Sequence, residues 1–242
     1  MKKKIALDFI LIIVLCTIFS KNSISLLYHE VVGIILGVLF IVHVVFNRKW
    51  IPAVIKKLGD KNYSVKNKVL LVVDILLILF WLAVITTGVL VSKKVFGFSK
   101  SFLNPYHFFL ASVALILTGV HIGFHFDYLY NAIKNVIKLN DKQFKVLNVI
   151  LSVVIIAMAI YFLKNSSFLN WLQAPFRIAE LRAMHGGGAG GPGGMGMTGG
   201  GRPAQVFSAT KLIKNILMTF SIGGATAVIT NLILKVNEKR IN

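Results

Sequence analysis

The sequence predicts an all-α integral membrane protein, a helical bundle of about six transmembrane helices. Three observations predict it. Of 242 residues, 56% are hydrophobic and only 14% charged, where a soluble domain carries about 25% charge. The apolar residues gather into runs long enough to approach or exceed the roughly 20 residues that a bilayer crossing needs. The 27 Lys and Arg, against 8 Asp and Glu, fall mostly between those runs. In a soluble chain a net charge of +19 would point to nucleic acid. Here the basic residues read as topology signals and lipid-headgroup contacts, so membrane lipids are expected partners and nucleic acid is not. The single cysteine, Cys16, excludes an internal disulfide framework and any iron–sulfur or Cys-based zinc site.

The apolar segments are 5–20, 26–46, 69–91, 105–126, 145–163 and 213–234. The first is short and follows Lys2-Lys3-Lys4, as in a signal peptide. No A-x-A-like cleavage site follows it, so a retained helix is expected. The second is flanked by Tyr28 and Trp50, which suit the two interfaces. The fourth opens at Asn104-Pro105, with Asn as N-cap and Pro in the first helical position. After the fifth, residues 166–184 form an amphipathic piece with Trp171, Phe176 and Leu181, broken by Pro175 and expected on the outer membrane surface. Residues 186–201 hold eleven glycines in sixteen positions, a flexible composition that buries no core. The organisation is thus a transmembrane bundle over 1–163, an extracytoplasmic amphipathic and Gly-rich connection over 164–211, and a final helix with a cytoplasmic tail over 212–242.

Orientation follows from the basic residues. The N-terminus, the 47–68 and 127–145 loops and the C-terminal tail carry 17 Lys and Arg, and the alternate set of connections carries 10. The positive-inside rule places both termini in the cytoplasm and the chain in the cytoplasmic (inner) membrane. The second and fourth segments then run parallel, from outside to inside.

Those two segments carry the chemistry. The second holds His29 and His43, the fourth His107 and His121, and the spacing is 14 in both. Fourteen residues rise about 21 Å and close to within about 40° of four full turns, so each pair shares one helix face. In a hydrocarbon core about 30 Å thick, the members of each pair lie near opposite surfaces. Histidine inside an apolar span is costly and marks a functional site. On parallel helices, His29 comes level with His107 and His43 with His121. Each level pair can clamp one haem iron between two imidazoles, which predicts two haem b groups between the second and fourth segments. Gly33 on one face, and Ala111, Ala114 and Thr118 on the other, leave room for a flat macrocycle. Close helix packing through Gly33 and Gly37, a G-x-x-x-G, is the bland account of the same glycine.

Other readings explain less. His125 lies one turn past His121 and competes as the inner ligand, but position 47, the matching place after His29, is asparagine. His29-Glu30 begins a zinc-protease box whose second histidine is replaced by Gly33. Asp8 and Asp74 stand isolated and argue no proton path. His185 with Met195 and Met197 offers soft copper ligands within low-complexity sequence. Two further classes remain open. One is a haem-free assembly or sensor subunit whose histidines only form hydrogen bonds. The other is a metal-ion transporter, which the lack of broken helices disfavours.

His29, Glu30, Gly33, His43, Asn47 and Trp50 together spell H-E-x-x-G, a histidine 14 after the first, and N-x-x-W. This pattern resembles the bacterial flavinylation-associated cytochrome family, integral membrane di-haem b-type cytochromes similar in design to cytochrome b561 and to dehydrogenase cytochrome b subunits. The resemblance covers about residues 5–126. It implies transmembrane electron transfer serving extracytoplasmic proteins that carry covalent flavin; the electrons would pass between an inner partner, a quinol or a cytosolic dehydrogenase, and an outer one. His29, His43, His107 and His121 match by position. The chain carries no flavin-attachment motif or nucleotide-binding domain of its own, so the expectation is an electron-transfer subunit rather than a stand-alone enzyme. On this reading Glu30 lies beside the outer haem, and Arg177 and Arg182 sit above it.

Overall fold

The structure is a computed structural model, described for residues 2–21, 24–57, 64–137, 139–177 and 207–241. Every regular element among the described residues is helical: α1 (Lys2–Ile18), α2 (Leu26–Asn47), α3 (Trp50–Ile55), α4 (Val65–Val91), a 3-10 turn (Ser101–Leu103), α5 (Asn104–Phe124), α6 (Phe126–Lys134), α7 (Asp141–Asn165), α8 (Phe168–Leu172) and α9 (Ala209–Ile241). Five of them, α2, α4, α5 with its leading turn, α7 and most of α9, are long and apolar enough to cross a membrane. The chain is a multi-pass membrane protein. The expected sixth span is α1, a helix of only 17 residues that begins with three lysines. At about 25 Å it falls short of a full crossing, so among the described residues five helices of spanning length stand where about six were expected.

α1 nevertheless lies antiparallel along α2. At one end Lys4 Nζ donates to Asn47 Oδ1 at 3.0 Å, and at the other Tyr28 Oη donates to Thr17 Oγ1 at 2.9 Å. Tyr28 is therefore tied to the neighbouring helix and is more than an interfacial anchor. α2 packs on α1 and α4, α4 on α5, α5 on α9, and α9 on both α7 and α1, which closes the bundle. The core between them includes Leu36, Trp81, Ala114, Leu115, Phe168 and Ile222. Outward-facing Ile41, Val72, Val153 and Ile229 stay exposed, as lipid-facing side chains do.

Local chemistry explains the helix ends, with two departures from expectation. Ser25 caps α2 by accepting the Tyr28 N–H at 3.0 Å. Asn140 and Gln143 form a full capping box at the start of α7. Asn104 makes no cap. The 3-10 turn delivers the chain already helical, so α5 starts at Asn104 itself, with Pro105 in its first turn as expected. α5 also stops at Phe124. His125 leaves helical geometry, and the chain resumes at Phe126 as α6, a short amphipathic helix. Beyond α7, α8 is seated on α5, with Phe168 buried and Trp171 ringed by Phe19 and Phe108. The chain turns at Gln173 before Pro175, and Phe176 meets Phe109 with ring centroids 6.0 Å apart. The Gly-rich 186–201 stretch, Leu181, Arg182, His185, Met195 and Met197 lie outside the described residues.

The tightest helix contact is α5 on α9. A Cβ at Gly119 would strike the Gly223 carbonyl and the Thr226 side chain, and one at Gly123 would strike Ala227 and Thr230. This small-xxx-small seam is the membrane-packing device, with two backbones in near contact. The G-x-x-x-G read in α2 is not one. Gly37 meets Ile85, while the space in front of Gly33 is open. Gly119→Leu is therefore expected to destabilise the bundle by at least about 1–3 kcal/mol, the usual cost of overpacking. A lowered thermal unfolding temperature of the purified protein in detergent would report it.

Candidate functional site

α2 and α5 run parallel with little close backbone approach between them. Their histidines meet in two places. The His29 and His107 ring centroids are 6.2 Å apart with the planes at 87°, and those of His43 and His121 are 6.5 Å apart at 77°. The level pairing expected from the spacing of 14 is the pairing in the structure.

Each ring is held at Nδ1 by a group from a neighbouring helix. His29 Nδ1 lies 2.7 Å from the Ile18 carbonyl at the end of α1. His107 Nδ1 lies 3.1 Å from Thr87 Oγ1 of α4. His43 Nδ1 lies 2.8 Å from Asp8 Oδ1 of α1, and His121 Nδ1 lies 2.6 Å from Asp74 Oδ1 of α4. These partners select the tautomer. A carbonyl or carboxylate oxygen only accepts, so the imidazole donates from Nδ1. The Thr87 hydroxyl gives its proton to the α4 carbonyls of Ala83 and Val84, so toward His107 it too accepts. In all four rings the free lone pair is consequently on Nε2. Holding the distal nitrogen in this way fixes the ring and raises the basicity of a metal-ligating histidine. The one further contact at an Nε2 among these four is Asn47 Nδ2 on His43, at 3.5 Å, the limit of hydrogen-bond range.

The separations can be tested against a shared iron. Two imidazoles bound in line through Nε2 at about 2.0 Å, each with its ring centre about 1.1 Å beyond the nitrogen, would have centroids about 6.2 Å apart. The observed 6.2 and 6.5 Å fit that requirement. At the His43 end a cavity of about 520 Å³ opens between α1, α2, α4 and α5, within the usual size range of cofactor sites. Both histidines line it with Asp8, Asp74, Thr118 and Trp81, and Lys4, Asn47, Trp50 and Tyr128 stand among its polar groups. Among the described residues, no group of three or more His, Cys, Asp or Glu is arranged to hold a bare metal ion. The cavity at the His43 end has room for a flat macrocycle, which His43 and His121 would hold between their rings.

The other expected residues are distributed around this frame. Thr118 lines the cavity, donates to the Ala114 carbonyl and accepts from Trp81 Nε1 at 3.3 Å. Ala114 is fully buried, and Ala111 packs against the core. Gly33 leaves open space beside α2. His125 lines the cavity with its ring 4.8 Å from that of His121, and belongs to the break after α5. Arg177 bonds Asn170 Oδ1 of α8 at 3.0 Å. Between the two histidine pairs, Phe40 and Trp81 pack with centroids 6.2 Å apart.

Two features escaped the sequence reading. Asp8 and Asp74, read there as isolated, are the partners of His43 and His121. The available signal was a lone carboxylate in each of two otherwise apolar helices, a group that must find a partner. Glu30 does more than flank His29. Its carboxylate accepts from Ser92 Oγ at 2.7 Å and from the backbone N–H groups of Lys93, Lys94 and Val95 at 2.8–3.0 Å, binding the end of α4 to α2. Comparison with protein-family models, with curated proteins and with solved structures gives no match.

Glu30→Ala is expected to free the loop that follows α4, because it strips a charged acceptor from three amides and from the buried Ser92 hydroxyl. The expected loss is about 1.5–3 kcal/mol, in the range for hydrogen bonds to charged groups. Hydrogen–deuterium exchange should rise at residues 93–95 and stay unchanged in α9.

Proposed function

We propose that this protein is a di-haem membrane cytochrome b that carries electrons across the membrane. The observation that supports the reading is a pair of neighbouring imidazoles at each end of α2 and α5, with centroids 6.2 and 6.5 Å apart and every Nδ1 already engaged. Bound haem supplies one-electron chemistry, the ferric and ferrous states of its iron. The chain's own part is to hold each ring in one tautomer, to separate the two sites by about 21 Å, and to keep water out with the apolar core between them. Lys4, Asn47 and His125 around the inner cavity suit the propionates of a macrocycle held there.

The positive-inside count assigns the His43 end to the cytoplasm and the His29 end to the outside. Electrons then move between a quinol or cytosolic donor and an extracytoplasmic acceptor. The resemblance to flavinylation-associated cytochromes favours a flavoprotein as that acceptor. The competing reading, a haem-free bundle whose histidines only form hydrogen bonds, accounts for the Nδ1 contacts. It gives no reason for two ring pairs to lie at such similar separations, 6.2 and 6.5 Å.

Purified protein is expected to hold two six-coordinate haems per chain, measured by pyridine haemochromogen assay and by reduced-minus-oxidised absorption. His29→Ala or His107→Ala should remove one haem, and His43→Ala or His121→Ala the other. Unchanged haem content in all four variants would refute the reading. Loss in His125→Ala with none in His121→Ala would move the inner ligand one turn along.

Sidedness has its own measurement, helped by the burial of Cys16, the only native thiol. Cysteines replacing the exposed Lys100 and Ser167 should react with an impermeant thiol reagent on intact cells, and one replacing Lys57 should not. The opposite pattern inverts the topology.

A further inference from the structure

Resting on the di-haem reading, we infer that the two sites have unequal reduction potentials, with the His43–His121 site the lower, so that electrons run downhill from the inner site to the outer one. The basis is an asymmetry in the groups behind the ligands. Both inner imidazoles donate Nδ1–H to carboxylates, Asp8 at 2.8 Å and Asp74 at 2.6 Å. Both outer imidazoles donate to neutral oxygens, the Ile18 carbonyl and the Thr87 hydroxyl.

A carboxylate draws the Nδ1 proton toward itself and leaves the ring with more imidazolate character. Such a ring gives more electron density to the iron and favours its higher oxidation state. Two carboxylates beside the same site also add negative charge in a low-dielectric core, which stabilises the ferric form by simple attraction. Both effects lower the inner potential, and neither operates with a peptide carbonyl or a hydroxyl.

The other nearby charges leave this order in place. Lys21 lies 5.6 Å above the Phe108 ring, within electrostatic reach of both His29 and His107, and a cation there raises the outer potential. Glu30 is the anion next to His29, but its charge is spread over the Ser92 hydroxyl and three amides. At the inner cavity the Lys4 ammonium, bonded to Asn47, opposes the lowering, but it is one cation against the two carboxylates of Asp8 and Asp74.

Each transfer removes one electron at the inner site and adds one at the outer site, with no bond made or broken in the chain. A quinol on the donor side releases two electrons and two protons over two such transfers. An oxidised flavin on the acceptor side takes up the two electrons, with protons from water. Asp8 and Asp74 act through the histidines and are positioning residues.

The test is a redox titration of the purified full-length protein, followed in the haem absorption bands. Wild type should show two midpoints. His107→Ala, retaining the inner haem, should titrate at the lower one, and His43→Ala, retaining the outer haem, at the higher one. Asp8→Asn and Asp74→Asn keep an acceptor oxygen but remove the charge, so each should shift the lower midpoint upward and leave the higher one in place. A single shared midpoint, a reversed assignment in the histidine variants, or unmoved midpoints in both asparagine variants with haem retained would overturn the inference. If the asparagine variants lose haem, the histidine variants still decide the order. Wild-type protein with no haem would instead bring down the di-haem reading itself, and this inference with it.

Discussion

The structure depends on one constraint, that an imidazole placed inside an apolar bundle must have a partner for its N–H. Four histidines impose that requirement at two depths, and four groups on two other helices meet it. α1 serves both histidines of α2, through Asp8 and Ile18, and α4 serves both histidines of α5, through Asp74 and Thr87. Lipid tails are as apolar as the core, so burial alone does little to set the register between helices. Polar contacts at two levels do set it. Because two of these contacts must be met at once on each helix pair, a slip of one turn would leave both rings of α2 or of α5 unpaired, at several kcal/mol for each unsatisfied group.

This explains why α1 belongs to the bundle despite its length. A 17-residue helix with three lysines has a weak claim to the membrane on composition. It is held instead by specific bonds. Asp8 meets His43, the Ile18 carbonyl meets His29, Thr17 accepts from Tyr28, and Asn215 of α9 donates to the Cys16 carbonyl at 3.0 Å. Asn215 is buried, so its bond is formed where water does not compete. The helix nearest the margin of spanning length is thus the one most dependent on polar contacts to others.

How much of this was legible in the chain depends on whether a feature is periodic or relational. The histidine pairing could be read because two equal spacings of 14, on helices made parallel by loop charge, have one level alignment. Helix character was plain wherever an apolar run was long. Asp8 and Asp74 were not assigned, since the partners stand 35 and 47 residues away on other helices and nothing local ties them together. The α5–α9 seam was missed for the same reason. Gly119 and Gly123 carry the spacing of a packing motif, but so do Gly33 and Gly37, and only the facing helix distinguishes them. At Asn104 the local rule was sound, but the preceding 3-10 turn had already supplied the helical geometry that a cap would have started.

α5 joins these levels. One of its faces carries His107, Thr118 and His121 toward α2 and α4, and another carries Gly119 and Gly123 against α9. The two faces demand opposite things of the helix. The histidine face must stand back from α2 to leave a space between facing rings, whereas the glycine face must approach α9 as closely as two backbones allow. Close approach on one side is what makes the gap on the other durable. Close van der Waals packing against α9 resists a drift of the helix toward α2. The glycines are remote from the histidines in chemistry but not in consequence, because they hold open the space that the histidines face.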